Sequence, residues 1–158
     1  MLKINKNNKP VIAMVDGIAT AAGCQLISSC DLAYSSSRAK YATPGVNIGL
    51  FCSTPMVPLS RTVGKKQAME MLLTGDLIDA NKALRIGLIN DVFEEDSLKE
   101  NVFQIAKKIS SKSSNTIKIG KEAFYKQKDM NLEDAYTFTS KVMTKNMGFN
   151  DAKEGIEA

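Results

Sequence analysis

The 158-residue chain has no histidine and no tryptophan, and only three cysteines and four prolines. The missing histidine excludes a Ser-His-Asp triad, a Cys-His nucleophile pair, a His-held metal and a His-ligated haem. Cys24, Cys30 and Cys52 form no Cys-x-x-Cys spacing and cannot all pair, so neither a disulfide framework nor a zinc site is indicated, and a reducing compartment is expected. All three read as small packed hydrophobes. Long apolar runs are lacking too. Nothing approaches the roughly 20 residues that cross a bilayer, and Met1 to Pro10 is polar and rich in Lys and Asn, so the chain reads as soluble, with no membrane partner. The formal charge of +4 falls short of the dense basic stripe of an electrostatic nucleic-acid binder. With 44% apolar and 24% charged residues, the composition is that of one globular domain with a sizeable core.

Pro10 to Val15 is a short apolar run closed by Asp16-Gly17, which predicts a strand buried on both faces. Ala19 to Gln25 is small and tightly turning, and Leu26, Ile27 and Cys30 suit one face of a helix over Gly23 to Cys30. Asp31 to Ser35 reads as a second strand, and a strand, a helix and a strand this close together imply a parallel crossover. Tyr41 to Leu50 is loop-like, and Ser53-Thr54-Pro55 predicts a helix start with Ser53 as a capping residue. Helix-permissive sequence runs over Gln67 to Leu73 and stops at Gly75; Asp79 caps a further helix that stops at Gly87. Leu88 to Phe93 reads as a last strand. Beyond it, Ser97 to Glu100 forms a capping box ahead of Leu98, Val102, Ile105 and Ile109 at helical spacing. Further helices are expected over Thr116 to Lys128, Leu132 to Met147 and from Asp151 onward. The expectation is an α/β part over residues 1–93 and an all-helical part over 94–158.

The chain resembles the crotonase, or enoyl-CoA hydratase/isomerase, superfamily. The resemblance rests on an ordered set of stretches: Lys9-Pro-Val-Ile-Ala-Met-Val-Asp-Gly17, Ala19-Thr-Ala-Ala-Gly-Cys-Gln25, Cys30-Asp31, Tyr41-Ala-Thr-Pro-Gly-Val-Asn-Ile-Gly49, Met71-Leu-Leu-Thr-Gly75, Ala83 with Gly87-Leu88, and Asp151-Ala-Lys-Glu-Gly155. It implies a ββα spiral, partial here, followed by a helical C-terminal oligomerisation region. It implies acyl-CoA thioesters as ligands, fatty-acid or lipid metabolism as the setting, and a homo-oligomer, trimer or hexamer. No separate cofactor or metal is implied, since coenzyme A enters only as part of the substrate. The stretch from Ala42 to Pro55 is most similar to a mitochondrial branch of the family, which makes the location mitochondrial, or cytoplasmic for a bacterial source. The family fold extends further at the N-terminus, so the chain reads as the C-terminal part of that fold, a fragment with an uncovered sheet edge.

The family's shared chemistry stabilises negative charge on a thioester carbonyl with backbone N–H donors, one of them at a helix N-terminus. The resemblance puts that donor at Ala22, with Gly23 beside it. The competing explanation is that both are small because helix and strand pack closely. Hydration also needs two carboxylates, one to activate water and one to deliver a proton. At the positions that match the family's two glutamates this chain has Gln25 and Gly45; an amide takes up no proton at neutral pH, and glycine has no side chain. No catalytic residue is therefore assigned with an acid's role. Cys52 before a helix start is a candidate nucleophile with Ser53 beside it, against the alternative of a packed thiol and a helix cap.

Lys107, Lys108, Lys112, Lys118, Lys121, Lys126 and Lys128 make one region basic. A contact to the phosphates of coenzyme A stands against a plain solvated face. Phe124 and Tyr125 apart, no aromatics interleave these lysines, so a nucleic-acid partner is not expected. Two readings remain open: an acyl-CoA-processing protein without the two-glutamate mechanism, and a non-catalytic crotonase-fold scaffold that acts through partners.

Overall fold

The computed structural model describes residues 1–157. After a single helical turn, α1 (Leu2–Asn5), the chain enters β1 (Ile12–Val15), turns at Asp16-Gly17 and forms β2 (Ile18–Thr20) and α2 (Ala22–Ser29). A second such unit follows with β3 (Leu32–Ser36), β4 (Lys40–Ala42) and a 3₁₀ turn at Pro44–Ile48. Next come α3 (Ser53–Thr62), α4 (Lys65–Thr74), β5 (Ile78–Asp79), α5 (Ala80–Arg85) and β6 (Asp91–Phe93). Four helices complete the chain: α6 (Glu95–Ser110), α7 (Ser114–Gln127), α8 (Leu132–Met147) and α9 (Asn150–Glu157). No helix among the described residues is long and apolar enough to cross a membrane.

The strands form two sheets, ordered β1-β3-β6 and β2-β4-β5. Each ββ unit thus gives its first strand to one sheet and its second to the other, the step that makes the chain spiral. The pairs β1–β3, β2–β4 and β3–β6 are parallel, and β4–β5 is antiparallel. The buried Tyr41 of β4 joins the sheets by donating its hydroxyl to Ser35 Oγ of β3 at 2.7 Å. Alternation along β3 divides two clusters, as the period of a strand requires. Ala33 faces a core that holds Cys24, Ile27, Leu59, Met71 and Leu72. Tyr34 faces outward onto Leu98 and Val102 of α6, so α6 closes the second face of this sheet. The division expected at residue 93 falls between β6 and a helix that packs on the same sheet.

Several expectations are corrected. The first strand is not buried on both faces: β1 is a sheet edge, and Met14 is 44% exposed because the α6 cluster takes in Ile12 but not Met14. The segment read as loop from Tyr41 contains the end of β4, and β2 and β4 are only three residues each, too short to display a period of two. The capping box at Ser97 is not formed. Glu94 is the N-cap and Glu95 and Asp96 fill the first turn, where acidic side chains suit the helix dipole; Ser97 only donates to the Glu94 carbonyl. At α3 the N-cap is Cys52, with Ser53 one position inside donating to the Phe51 carbonyl at 3.3 Å. By contrast α4 ends as expected. Gly75 has φ +68° and approaches Asn47 and Val46 so closely that a Cβ would lie 3.0 Å from both side chains, a conformation and a fit that favour glycine.

Candidate functional site

The front of α2 is built by a sharp break in the backbone. Ala21, its N-cap, has φ 47° and ψ −108°, the one non-glycine residue with positive φ among those described. It is held there from both sides: its N–H donates to the Ala42 carbonyl of β4 at 3.0 Å, and its carbonyl accepts from Gln25 N–H at 2.9 Å. The amides of Ala22, Gly23 and Cys24 follow directly on this break, and a first helical turn has no carbonyl of its own for them. Ala22 is exposed. A Cβ at Gly23 would meet only Ala19 Cβ, at an ordinary 3.6 Å, so an alanine fits there without a clash. Two adjacent free N–H groups at the positive end of a helix suit an oxygen that carries partial negative charge.

An alanine at positive φ costs about 1–3 kcal/mol, while glycine there gives back roughly 0.5–1 kcal/mol through its freer unfolded chain. Ala21→Gly is therefore expected to raise stability by about 1 kcal/mol. A urea midpoint that stays or falls would show that the break carries no strain.

The 3₁₀ turn packs on the end of α4, with Val46 and Asn47 against Gly75, and Cys52 after it lies near Cys24 in the first turn of α2. Cys24 is fully buried, and its thiol is pushed up to about 11, chiefly by burial, with the neighbouring Cys52 also raising it and Ser28 opposing. Cys24 is thus a protonated packing residue, and Cys52, also buried, packs towards Gly45. The expectation of packed thiols holds for these two, whereas Cys30 is only half-buried. Gly45 is sterically closed: a Cβ there would lie 2.6 Å from the Leu50 carbonyl oxygen and 3.0 Å from Cys52 Sγ. The structure thus brings Cys24 of α2 close to Cys52 and Cys52 against Gly45, leaves Ser53 exposed at the start of α3, and places no carboxylate at Gln25 or Gly45, the positions that the resemblance matches to acids. Ile48, Leu50 and Phe51 project outward from the same loop.

A raised native pKa means that the native state holds its proton above the unfolded pKa, so stability is full below about pH 9 and is lost as pH rises towards 11. The urea midpoint is expected to fall between those values, and less steeply in Cys24→Ala. Parallel pH profiles for the two proteins would remove Cys24 as the cause.

At the other end of α2 the lysine run departs from a solvated face. Lys107, Lys108, Lys112 and Lys118 are exposed, but the Lys121 side chain is only 7% exposed. It pairs with Asp31 at 2.6 Å and donates also to the carbonyls of Ile4 and Lys9, each at 3.0 Å. Tyr125 donates to the other Asp31 oxygen at 2.8 Å; burial and the Asp31 carboxylate push its phenol well up. Sequence reasoning passed over this cluster. The available signal was the spacing of four between Lys121 and Tyr125, which puts both on one face of α7.

The whole chain, residues 1–158, matches the family model described as enoyl-CoA hydratase/isomerase. The chain belongs to the enoyl-CoA hydratase/isomerase family. It is 51% identical over 158 residues to enoyl-CoA hydratase domain-containing protein 3, mitochondrial, of Rattus norvegicus, covering 100% of this chain and 53% of the relative. The crystal structure of the human enoyl-CoA hydratase domain-containing protein 3 superposes with a TM-score of 0.96 at 50% identity, over 99% of this chain and 62% of that one. An enoyl-CoA hydratase of Mycobacterium smegmatis superposes at 0.98 with 44% identity, over 99% and 61%. The ββα fold expected from the family resemblance is thereby shown, and the chain spans about half the length of the curated relatives it matches.

Proposed function

We propose that this crotonase-fold chain binds acyl-CoA thioesters in fatty-acid or lipid metabolism without the two-glutamate hydration of 2-enoyl-CoA. The observation that carries the reading is the front of α2. The first-turn amides of Ala22 and Gly23 have no helical carbonyl to pair with, and neither Gln25 of the same helix nor Gly45 carries a carboxylate, so a carbonyl oxygen can be polarised where neither of these positions can activate water. Gln25 contributes hydrogen bonding alone, and coenzyme A enters only as part of the ligand. The mitochondrial label of the rat relative supports a mitochondrial location.

A homo-oligomer is part of the same proposal. Leu132, Tyr136, Met143 and Met147 of α8 are all exposed, and their spacing lays them along one helix face. An apolar stripe of that kind on an outer helix is a surface for further protein.

Calorimetric titration with octanoyl-CoA and a 2-enoyl-CoA hydration assay on the same sample test the reading, with light scattering giving the mass. Saturable binding by a multimer of the 17.2 kDa chain, without turnover, is the expected result. Measurable hydration would overturn the reading of Gln25 and Gly45, and an absence of binding would overturn that of Ala22.

A further inference from the structure

The helix that offers the free amides is gripped at its far end by residues of the C-terminal helices. Eight residues of α-helix span about 12 Å, and over that length α2 behaves as a short rod. Side chains of its last turn fold back on the helix's own carbonyls: Ser28 Oγ donates to that of Cys24, Ser29 Oγ to that of Gln25 and Cys30 Sγ to that of Leu26. Two residues beyond the rod stands Asp31. One of its oxygens accepts from Val11 N–H at 2.7 Å and from Lys121 at 2.6 Å, and the other accepts from Tyr125 at 2.8 Å. Lys121 spends all three ammonium protons, on Asp31, Ile4 and Lys9. Few arrangements can satisfy so many partners of one carboxylate and one ammonium at once, which favours a single geometry for the cluster.

We infer that Asp31, Lys121 and Tyr125 are positioning residues that set where the amides of Ala22 and Gly23 point. The inference rests on the thioester-binding reading of those amides and adds residues from the opposite end of the helix. α3 packs along α2, with Thr62 donating to the Ser28 carbonyl at 3.1 Å, and the helix is fixed at Ala21 by β4, so what the Asp31 end sets is its fine placement, and loosening that end shifts the first turn slightly. Hydrogen bonds weaken steeply with poor alignment, and misplacement by about 1 Å is enough to lose most of an oriented interaction.

The test compares octanoyl-CoA with S-octyl-CoA, a thioether of the same tail that lacks the carbonyl, on the purified chain and on Tyr125→Phe and Asp31→Asn. The wild-type protein is expected to prefer the thioester by about 5–10-fold, the worth of a good hydrogen bond. In the variants the preference is expected to fall at least about twofold while thioether affinity stays level. Resonances of the Ala22 and Gly23 amides in ligand-free Tyr125→Phe should move, although the changed hydroxyl is at the far end of α2. A preference that persists in the folded variants, or unmoved amide resonances, overturns the positioning role. Equal affinity of the wild-type chain for both ligands, or no binding, overturns the reading of Ala22 instead, and the amide resonances then decide on positioning alone. Should Asp31→Asn fail to fold, Tyr125→Phe removes only one hydroxyl and still gives the answer.

Discussion

Lys121→Met is expected to cost about 3–5 kcal/mol of stability, the loss typical of a buried ion pair deprived of one partner. The side chains of Lys121 and Asp31 are 7% and 16% exposed, so solvent does little to screen the carboxylate that remains. Methionine fills nearly the volume of the lysine stem, which makes the change one of charge and hydrogen bonding more than of packing. It strands Asp31 with only the Val11 amide and the Tyr125 hydroxyl, and it leaves the carbonyls of Ile4 and Lys9 without their donor. Adding Asp31→Asn to Lys121→Met removes the stranded charge and should recover a large part of the loss. Urea unfolding of the wild type, the single variant and the double variant measures this. A loss below about 1 kcal/mol, the worth of an exposed pair, would mean that the cluster is open to water.

That cluster also shows where the sequence could and could not be read. Asp31 was visible only as half of a Cys-Asp pair and Lys121 only as one of seven lysines, because an ion pair 90 residues apart along the chain leaves no local pattern. The long helices were legible: α8 runs over the residues expected, Leu132–Met147, and α6 shows its apolar face at Leu98, Val102 and Ile105. In these elements periodicity, caps and stops agree. The second sheet was illegible, since β2, β4 and β5 are two or three residues long and exist through pairing between distant segments. For the candidate site the balance differs. Gly23, Gln25 and Gly45 could be singled out through the family resemblance alone. The positive φ of Ala21 could not, because nothing in an alanine announces a conformation that its Cβ disfavours.

Placing a glutamate at both position 25 and position 45 is not expected to produce hydration. In Gln25→Glu with Gly45→Glu the first change meets no steric obstacle, as Gln25 is nearly isosteric with glutamate. The second does meet one. A Cβ at position 45 would stand 2.6 Å from the Leu50 carbonyl oxygen and 3.3 Å from Cys52 N; both are backbone atoms, which cannot swing aside as a flexible side chain does. Leu50 is fixed there in turn, since its own N–H donates to the Gly45 carbonyl at 2.9 Å. The loop from Gly45 to Cys52 is therefore folded around the absence of a side chain, and Cys52 at its end is the N-cap of α3. Relieving the clash means moving the loop and the start of that helix, at about 1–3 kcal/mol as in other overpacked sites. Gly45→Ala alone should show that cost in its urea midpoint. The double variant should consume no 2-enoyl-CoA above the wild-type background, because the second carboxylate would sit on a displaced loop and not within reach of the reacting carbon. Turnover by the double variant would mean that the loop yields and that the two substitutions alone separate this chain from a hydratase.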